Sequence, residues 1–291
     1  MSQPTDHPGR SLRQRLLPYL TKASHISAPF ISTFLLVHLT APAIANVGGS
    51  GLSSMTMILG REYYQTAIGE PWLVFTPLAI HAMSGVVRRV LLVLPRLWRG
   101  ITNPDSDPTK NTASYHWLSS SFTPLTLSAY PLLFLFPIHF AIHRILPMTP
   151  SPPIHSLGPA ELDFNFVAHG LKTWPIRSWL MYGALIGCAT VHAVEGSKVL
   201  MQKWNSKCRV GKDRLPLHVP ESEEPPLTET KLSHLDKTKP RTRIPTSAVA
   251  AVLSLPVLSG LYFISTEPTW VFADTAKRFD AIYLMSWVYR L

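Results

Sequence analysis

Five long apolar stretches, at about 26–47, 71–95, 122–146, 175–200 and 244–266, alternate with polar connectors along the chain. Each is near the roughly 20 residues with which an α-helix crosses about 30 Å of hydrocarbon. Apolar residues fill these stretches instead of recurring on one face, which predicts helices apolar all round, as in membrane spans. Pro29, Pro42, Pro77, Pro124, Pro131, Pro137 and Pro256 lie in or near them. Prolines are tolerated in membrane helices where neighbouring helices re-satisfy the freed carbonyls. The pattern predicts an all-α, polytopic membrane protein with five transmembrane helices.

The connectors divide the rest. A basic N-terminal segment (1–25) precedes a first helix pair (26–95), a loop (96–121) and a second helix pair (122–200). A basic, proline-rich loop (201–243), a fifth helix (244–266) and a C-terminal segment (267–291) follow. After a Gly-Gly-Ser-Gly stretch, Leu52–Ile68 carries Arg61, Glu62, Tyr63 and Tyr64 and reads as a short interfacial helix. Residues 101–114 read as a polar loop and the Pro- and Ser-rich 147–160 as irregular. The Lys-, Glu- and Pro-rich 205–243 reads as disordered. Trp270, Phe272, Phe279, Tyr283, Trp287 and Tyr289 beside Lys277 and Arg278 predict an amphipathic helix lying at the membrane interface.

Composition agrees with a membrane chain: 46% of residues are hydrophobic and 15% charged, against about 25% charged in soluble domains. The net charge of +10 is unevenly spread, with 20 of the 27 Lys and Arg in 1–25, 88–117 and 197–243. Basic connectors are retained on the cytosolic side, so the N-terminus is expected there and the C-terminus opposite. The basic faces suit anionic lipid headgroups; no aromatic-interleaved basic patch points to nucleic acid. Cys188 and Cys208 are too far apart in depth to suggest a disulfide. No short apolar stretch before a small-residue site reads as a cleavable signal. Arg10, Arg13, Arg15 and Lys22 with Asp6 suit either a mitochondrial lead or a cytosolic flank.

One motif occurs twice inside the apolar stretches: His81-Ala82-Met83-Ser84-Gly85 and His192-Ala193-Val194-Glu195-Gly196. Each has a histidine-bearing partner helix upstream, with His38 and His139. The first four helices thus form a core of two repeats, parallel because each begins on the same side of the membrane. Histidine in a membrane helix is costly and marks a functional site by default. His81 and His192 lie seven and six residues before Arg88 and Lys198, roughly 10 Å from the basic side. His38 and His139 lie nearer the opposite side. Equal depth pairs His81 with His192 and His38 with His139, the arrangement that bis-histidine ligation of a b-type haem requires. Gly85 and Gly196, one turn on, would leave room for a flat macrocycle. Arg88, with Arg89 and Lys198, could meet propionates. Interhelical packing through His and Gly explains the same pattern equally well, and His143 competes with His139. No metal beyond a haem iron is indicated; one or two haems would fit.

The remaining residues carry weaker signals. His116, His155 and His169 read as loop or interfacial residues. Glu195 and Lys198 suit an i,i+3 pair. Ser119-Ser120-Ser121 and Thr123 read as a helix start, or as a hydrophilic edge for headgroups. No Gly-rich phosphate loop, Cys/His metal box or nucleophile elbow is present, and the chain is read as a non-enzyme.

Leu59-Gly60-Arg61-Glu62-Tyr63-Tyr64-Gln65, Glu70-Pro71, Pro77 through Gly85 and Arg88-Arg89 resemble the transmembrane domain of the fungal mitochondrial outer-membrane adapter family. The resemblance covers roughly 24–204. It implies a mitochondrial outer-membrane protein of lipid homeostasis that recruits a bridge-like lipid-transfer protein at organelle contact sites. Movement of lipids between leaflets is implied as an accompanying role. The family's cytosolic Pro-x-Pro element has no counterpart in the connectors assigned to the cytosol; Pro150-Ser151-Pro152 falls in one assigned to the opposite side. The four-histidine pattern is similar, at a greater distance, to the cytochrome b membrane anchor of succinate dehydrogenase and fumarate reductase. That likeness implies haem b and a role in electron transfer or haem handling.

Overall fold

A computed structural model describes residues 12–102, 122–212, 245–268 and 270–290. Expectations for His116, for Ser119–Ser121 and for most of the 101–114 and 205–243 loops lie outside the described residues. The helices are α1 (Leu12–Tyr64), α2 (Thr76–Thr102), α3 (Pro124–Phe140), α4 (Phe164–Thr173), α5 (Pro175–Lys212), α6 (Thr246–Thr266), α7 (Ala273–Met285) and α8 (Trp287–Arg290). A π-helical stretch, Glu70–Phe75, leads into α2. Another, Ala141–Ile145, continues α3 into a short 3-10 turn at Leu146–Met148. Five segments are long and apolar enough to cross a membrane: Leu12–Tyr64, Glu70–Leu94, Pro124–Met148, Pro175–Asn205 and Thr246–Thr266. The chain is an all-helical membrane protein, and no strand occurs among the described residues.

Local chemistry sets the ends. The Thr123 hydroxyl accepts from the Thr126 amide, and Pro124 opens α3 where its missing N–H costs nothing. Asp163 caps α4 by accepting from the Asn165 amide at 2.9 Å. α5 runs on to Lys212, so the first residues expected in the disordered loop are helical.

The expected interfacial helix at 52–68 is corrected. α1 breaks at Gly48 and Gly49, the latter at φ 62° and ψ −162°, a conformation open to glycine alone. The chain reverses there, and the second arm returns along the first. Ser53 Oγ donates to Ala41 O at 2.8 Å, and the Tyr64 ring meets Phe34 edge-on at 5.1 Å. The Glu267 carboxylate accepts from the Ser50 amide at 3.0 Å and satisfies a donor at the start of the returning arm. Residues 50–64 therefore bring Tyr64 to the level of His38 instead of lying flat.

α1 packs on α2 and α3 on α5, giving two hairpins, while α6 packs against both α1 and α5. The α6–α1 contact is close: a Cβ built on Gly260 would stand 1.8 Å from Pro42 O. Asn46 Nδ2 donates to Pro256 O at 2.7 Å beside it. Between the hairpins the helices do not pack. No pair joining α1 or α2 to α3 or α5 makes more than isolated approaches with Cα–Cα within 8 Å among the described residues. Side chains bridge that slot instead. Arg144 holds Glu70 through two hydrogen bonds of 2.7 and 2.8 Å, and Arg89 Nε donates to Tyr130 OH at 3.2 Å.

In the C-terminal segment, α7 packs with α4 into a cap over the end of the bundle opposite the basic connectors, so part of its aromatic face is buried on protein. Phe166, Phe279, Ile282, Tyr283 and Tyr289 are fully buried in it. The aromatic residues expected to face lipid thus split, with Trp270, Phe272 and Trp287 exposed and the others in the cap core. The polar backbone of this cap is satisfied by long cations: Arg278 donates to Ile154 O at 2.8 Å and Arg177 to Tyr289 O at 2.7 Å. His169, expected in a loop or interface, lies in α4 and meets Asp280 at 2.7 Å. Burial first, then the neighbouring Tyr182 and Tyr289, pushes the Tyr283 hydroxyl well above its usual value, and it donates to Phe166 O.

Candidate functional site

The two histidine pairs meet in the slot between the hairpins. The ring centroids of His81 on α2 and His192 on α5 are 5.9 Å apart, with the planes at 82°. Those of His38 on α1 and His139 on α3 are 6.0 Å apart, also at 82°. Each pair therefore joins one hairpin to the other.

The first pair has a defined tautomer. His81 Nδ1 lies 3.1 Å from Ser24 O, and His192 Nδ1 lies 3.1 Å from Leu125 O. A carbonyl only accepts, so each Nδ1 carries the proton and each Nε2 keeps its lone pair. No hydrogen bond to either Nε2 is found among the described residues. Two imidazole acceptors facing one slot with no donor between them suit a cation bound by both. Two metal–imidazole bonds of about 2.0–2.1 Å, extended to the ring centres, put the centroids about 6.3 Å apart. Ligating histidines almost always donate the other nitrogen to a carboxylate, a backbone carbonyl or water, and here it is a carbonyl.

The glycines leave space. A Cβ built on Gly85 meets nothing within 4 Å, and one on Gly196 meets only Leu125 Cδ1 at 3.9 Å. The residues present therefore fit a planar group held by His81 and His192. No cluster of three or more His, Cys, Asp or Glu able to hold a metal ion is found among the described residues; a bis-histidine site needs only two. Arg88 is exposed on α2, and the hydrogen bond across to α3 comes from its half-buried neighbour Arg89. At the same end, Lys198 reaches Glu195 at 3.4 Å, and both bond to Thr246 at the start of α6.

The second pair is differently furnished. His38 Nδ1 lies 3.4 Å from Tyr64 OH, a group that can donate or accept, so its tautomer is open. His139 Nδ1 is buried with no hydrogen-bond partner. The His143 ring lies 4.4 Å from that of His139, tilted by 39°, and is held by Tyr182 OH at 3.0 Å. The first pair is the better defined site.

Sequence reasoning missed Ser24, Ser27, Leu125, Ser128, Tyr64 and Tyr182. One signal was present: Ser27 and Ser128 each precede the upstream histidine, His38 or His139, by eleven residues.

Residues 134–267 match the family model described as MDM10-complementing protein 1, transmembrane domain. The match spans 134 of the 291 residues, less than half of the chain, and shows that this part is similar to that domain. The match runs from α3 through α5 and α6, so it covers the second hairpin and the helix that joins the two. The resemblance to the mitochondrial adapter family is thereby supported, although the stretch most specific for it, 59–89, lies outside the match. With five helices long and apolar enough to cross a bilayer, the chain is a membrane protein. Nothing supports the more distant likeness to the succinate dehydrogenase anchor. No curated protein matches the chain, and no solved structure does.

Proposed function

We propose that this protein is a mitochondrial outer-membrane adapter of lipid homeostasis, with its basic N-terminus and connectors in the cytosol. The match to the MDM10-complementing protein 1 transmembrane domain carries this reading. The cytosolic connectors receive a bridge-like lipid-transfer protein at a contact site, and the membrane core anchors them. The charge asymmetry supports the orientation. Deleting 210–240 from the full chain should reduce recruitment of the lipid-transfer protein to mitochondria while the chain remains inserted. Protease added to intact mitochondria should cut that loop and spare a C-terminal tag. Normal recruitment after deletion of both 1–20 and 210–240, or loss of the tag without outer-membrane rupture, overturns it.

A second reading is compatible with the first: the core binds b-type haem. It is supported by the His81–His192 pair, with its two Nδ1–H groups tied to backbone carbonyls. Bound there, the group would supply one-electron redox chemistry. His81 and His192 would hold it, and Gly85 and Gly196 would leave room for it. The full chain, expressed with added haem and purified, should show a Soret band that sharpens on reduction. His81→Ala or His192→Ala should convert it to a high-spin form or remove it. A featureless wild-type spectrum overturns this reading and leaves the adapter reading untouched.

A further inference from the structure

The two halves of the first histidine site share an unassigned side chain. Ser27 Oγ lies 3.3 Å from His81 Nδ1, and Ser128 Oγ lies 3.5 Å from His192 Nδ1. The surroundings correspond in the two halves, except that Ser24 Oγ also lies 3.5 Å from His81 Nδ1 where the other half has Leu125. Ser27 Oγ donates within its helix to Ala23 O and Ser24 O, both at 3.0 Å. Ser128 Oγ donates to Pro124 O at 2.8 Å and Leu125 O at 3.1 Å. The hydroxyl proton is thus committed to the carbonyls, and the oxygen lone pairs are left for the imidazole N–H. In both halves the carbonyl of the residue three before the serine accepts from the same Nδ1. Each N–H is therefore shared between a carbonyl and a hydroxyl one turn apart. Both serines are buried, at 4% and 5% exposure, in helices where back-bonding to the preceding turn satisfies a hydroxyl without any histidine.

A single acceptor fixes which nitrogen carries the proton but leaves the ring free to swing about that bond. Two acceptors a helical turn apart restrict the swing as well. We propose that Ser27 and Ser128 are paired positioning residues that set the ring planes of His81 and His192 near the observed 82°, and through them the electronic state of a haem iron between the rings. The proposal rests on the haem reading above. The serines touch neither iron nor macrocycle; they act through the histidines, as outer-shell groups do at metal sites.

The test uses the purified, haem-loaded full chain. Axial imidazoles held near perpendicular give a ferric low-spin electron paramagnetic resonance signal of high anisotropy; parallel rings give a more ordinary rhombic one. Wild type should show the highly anisotropic signal. Ser27→Ala/Ser128→Ala should keep its haem content and Soret band but shift the signal toward the rhombic type. Ser27→Thr/Ser128→Thr, which keeps both hydroxyls, should restore the wild-type signal. The single variants Ser27→Ala and Ser128→Ala serve should the double alanine variant not fold, and each should show an intermediate shift. A rhombic wild-type signal, or alanine variants indistinguishable from wild type, overturns the positioning role while leaving haem binding intact. Absence of any Soret band in wild type overturns the haem reading instead.

Discussion

The Glu70–Arg144 pair offers a direct test of how the two hairpins are held. Their helices do not pack closely on each other, so polar bridges carry much of the connection. This bridge is bidentate at 2.7 and 2.8 Å, with side chains 19% and 26% exposed, respectively. Unit charges about 4 Å apart interact by about 4 kcal/mol at an effective dielectric constant near 20. Desolvation of the two groups offsets part of this, leaving an expected coupling of about 1.5–3 kcal/mol, above the 0.2–1 kcal/mol typical of exposed pairs. Glu70→Gln and Arg144→Gln should each destabilise the chain, and the double variant should cost less than the two singles together. Unfolding of the purified protein in one fixed detergent, followed for all four members of the cycle, gives the coupling energy. A value below about 0.5 kcal/mol would show that the pair behaves as a surface contact, and the hairpins would then have to be held by α6 and the slot-lining groups alone.

Three further outcomes follow from the same packing. Gly260→Ala should lower stability by at least the about 1–3 kcal/mol typical of overpacking, because its Cβ would enter the Pro42 carbonyl; an unchanged melting temperature would contradict the close α1–α6 contact. Gly85→Ala should not lower the melting temperature, since its Cβ meets nothing within 4 Å and alanine favours a helix interior over glycine, whereas Gly85→Leu should lower haem content, read as the pyridine haemochrome per chain. Tyr283, whose hydroxyl is pushed well above its usual value mainly by burial, favours the folded state fully below the unfolded tyrosine value of about 10. That contribution is lost as pH rises from there toward the folded value, so alkaline unfolding should begin above about pH 10, and Tyr283→Phe should move its midpoint upward.

The spans were legible because burial in hydrocarbon selects for composition, and composition is local. The histidine pairing was legible for a related reason: depth along a helix can be counted at about 1.5 Å per residue from a charged end. What lay beyond reach depended on where the chain turns back. The Gly48–Gly49 reversal makes residues 50–64 a returning arm, and nothing in the Arg61–Tyr64 composition distinguishes that arm from an interfacial helix. The aromatic C-terminus was legible only in part. Phe279, Tyr283 and Tyr289 have the residue types of an interface belt, yet α4 offers them a protein surface to pack on, and its apolar face cannot be matched to α7 without knowing that the two are neighbours. Ser27 and Ser128 lie between these cases. Their common spacing to His38 and His139 is visible in the chain, but a serine in a membrane helix is satisfied by its own preceding turn. Only its distance from the histidine of another helix distinguishes a filled hydrogen bond from a positioned one.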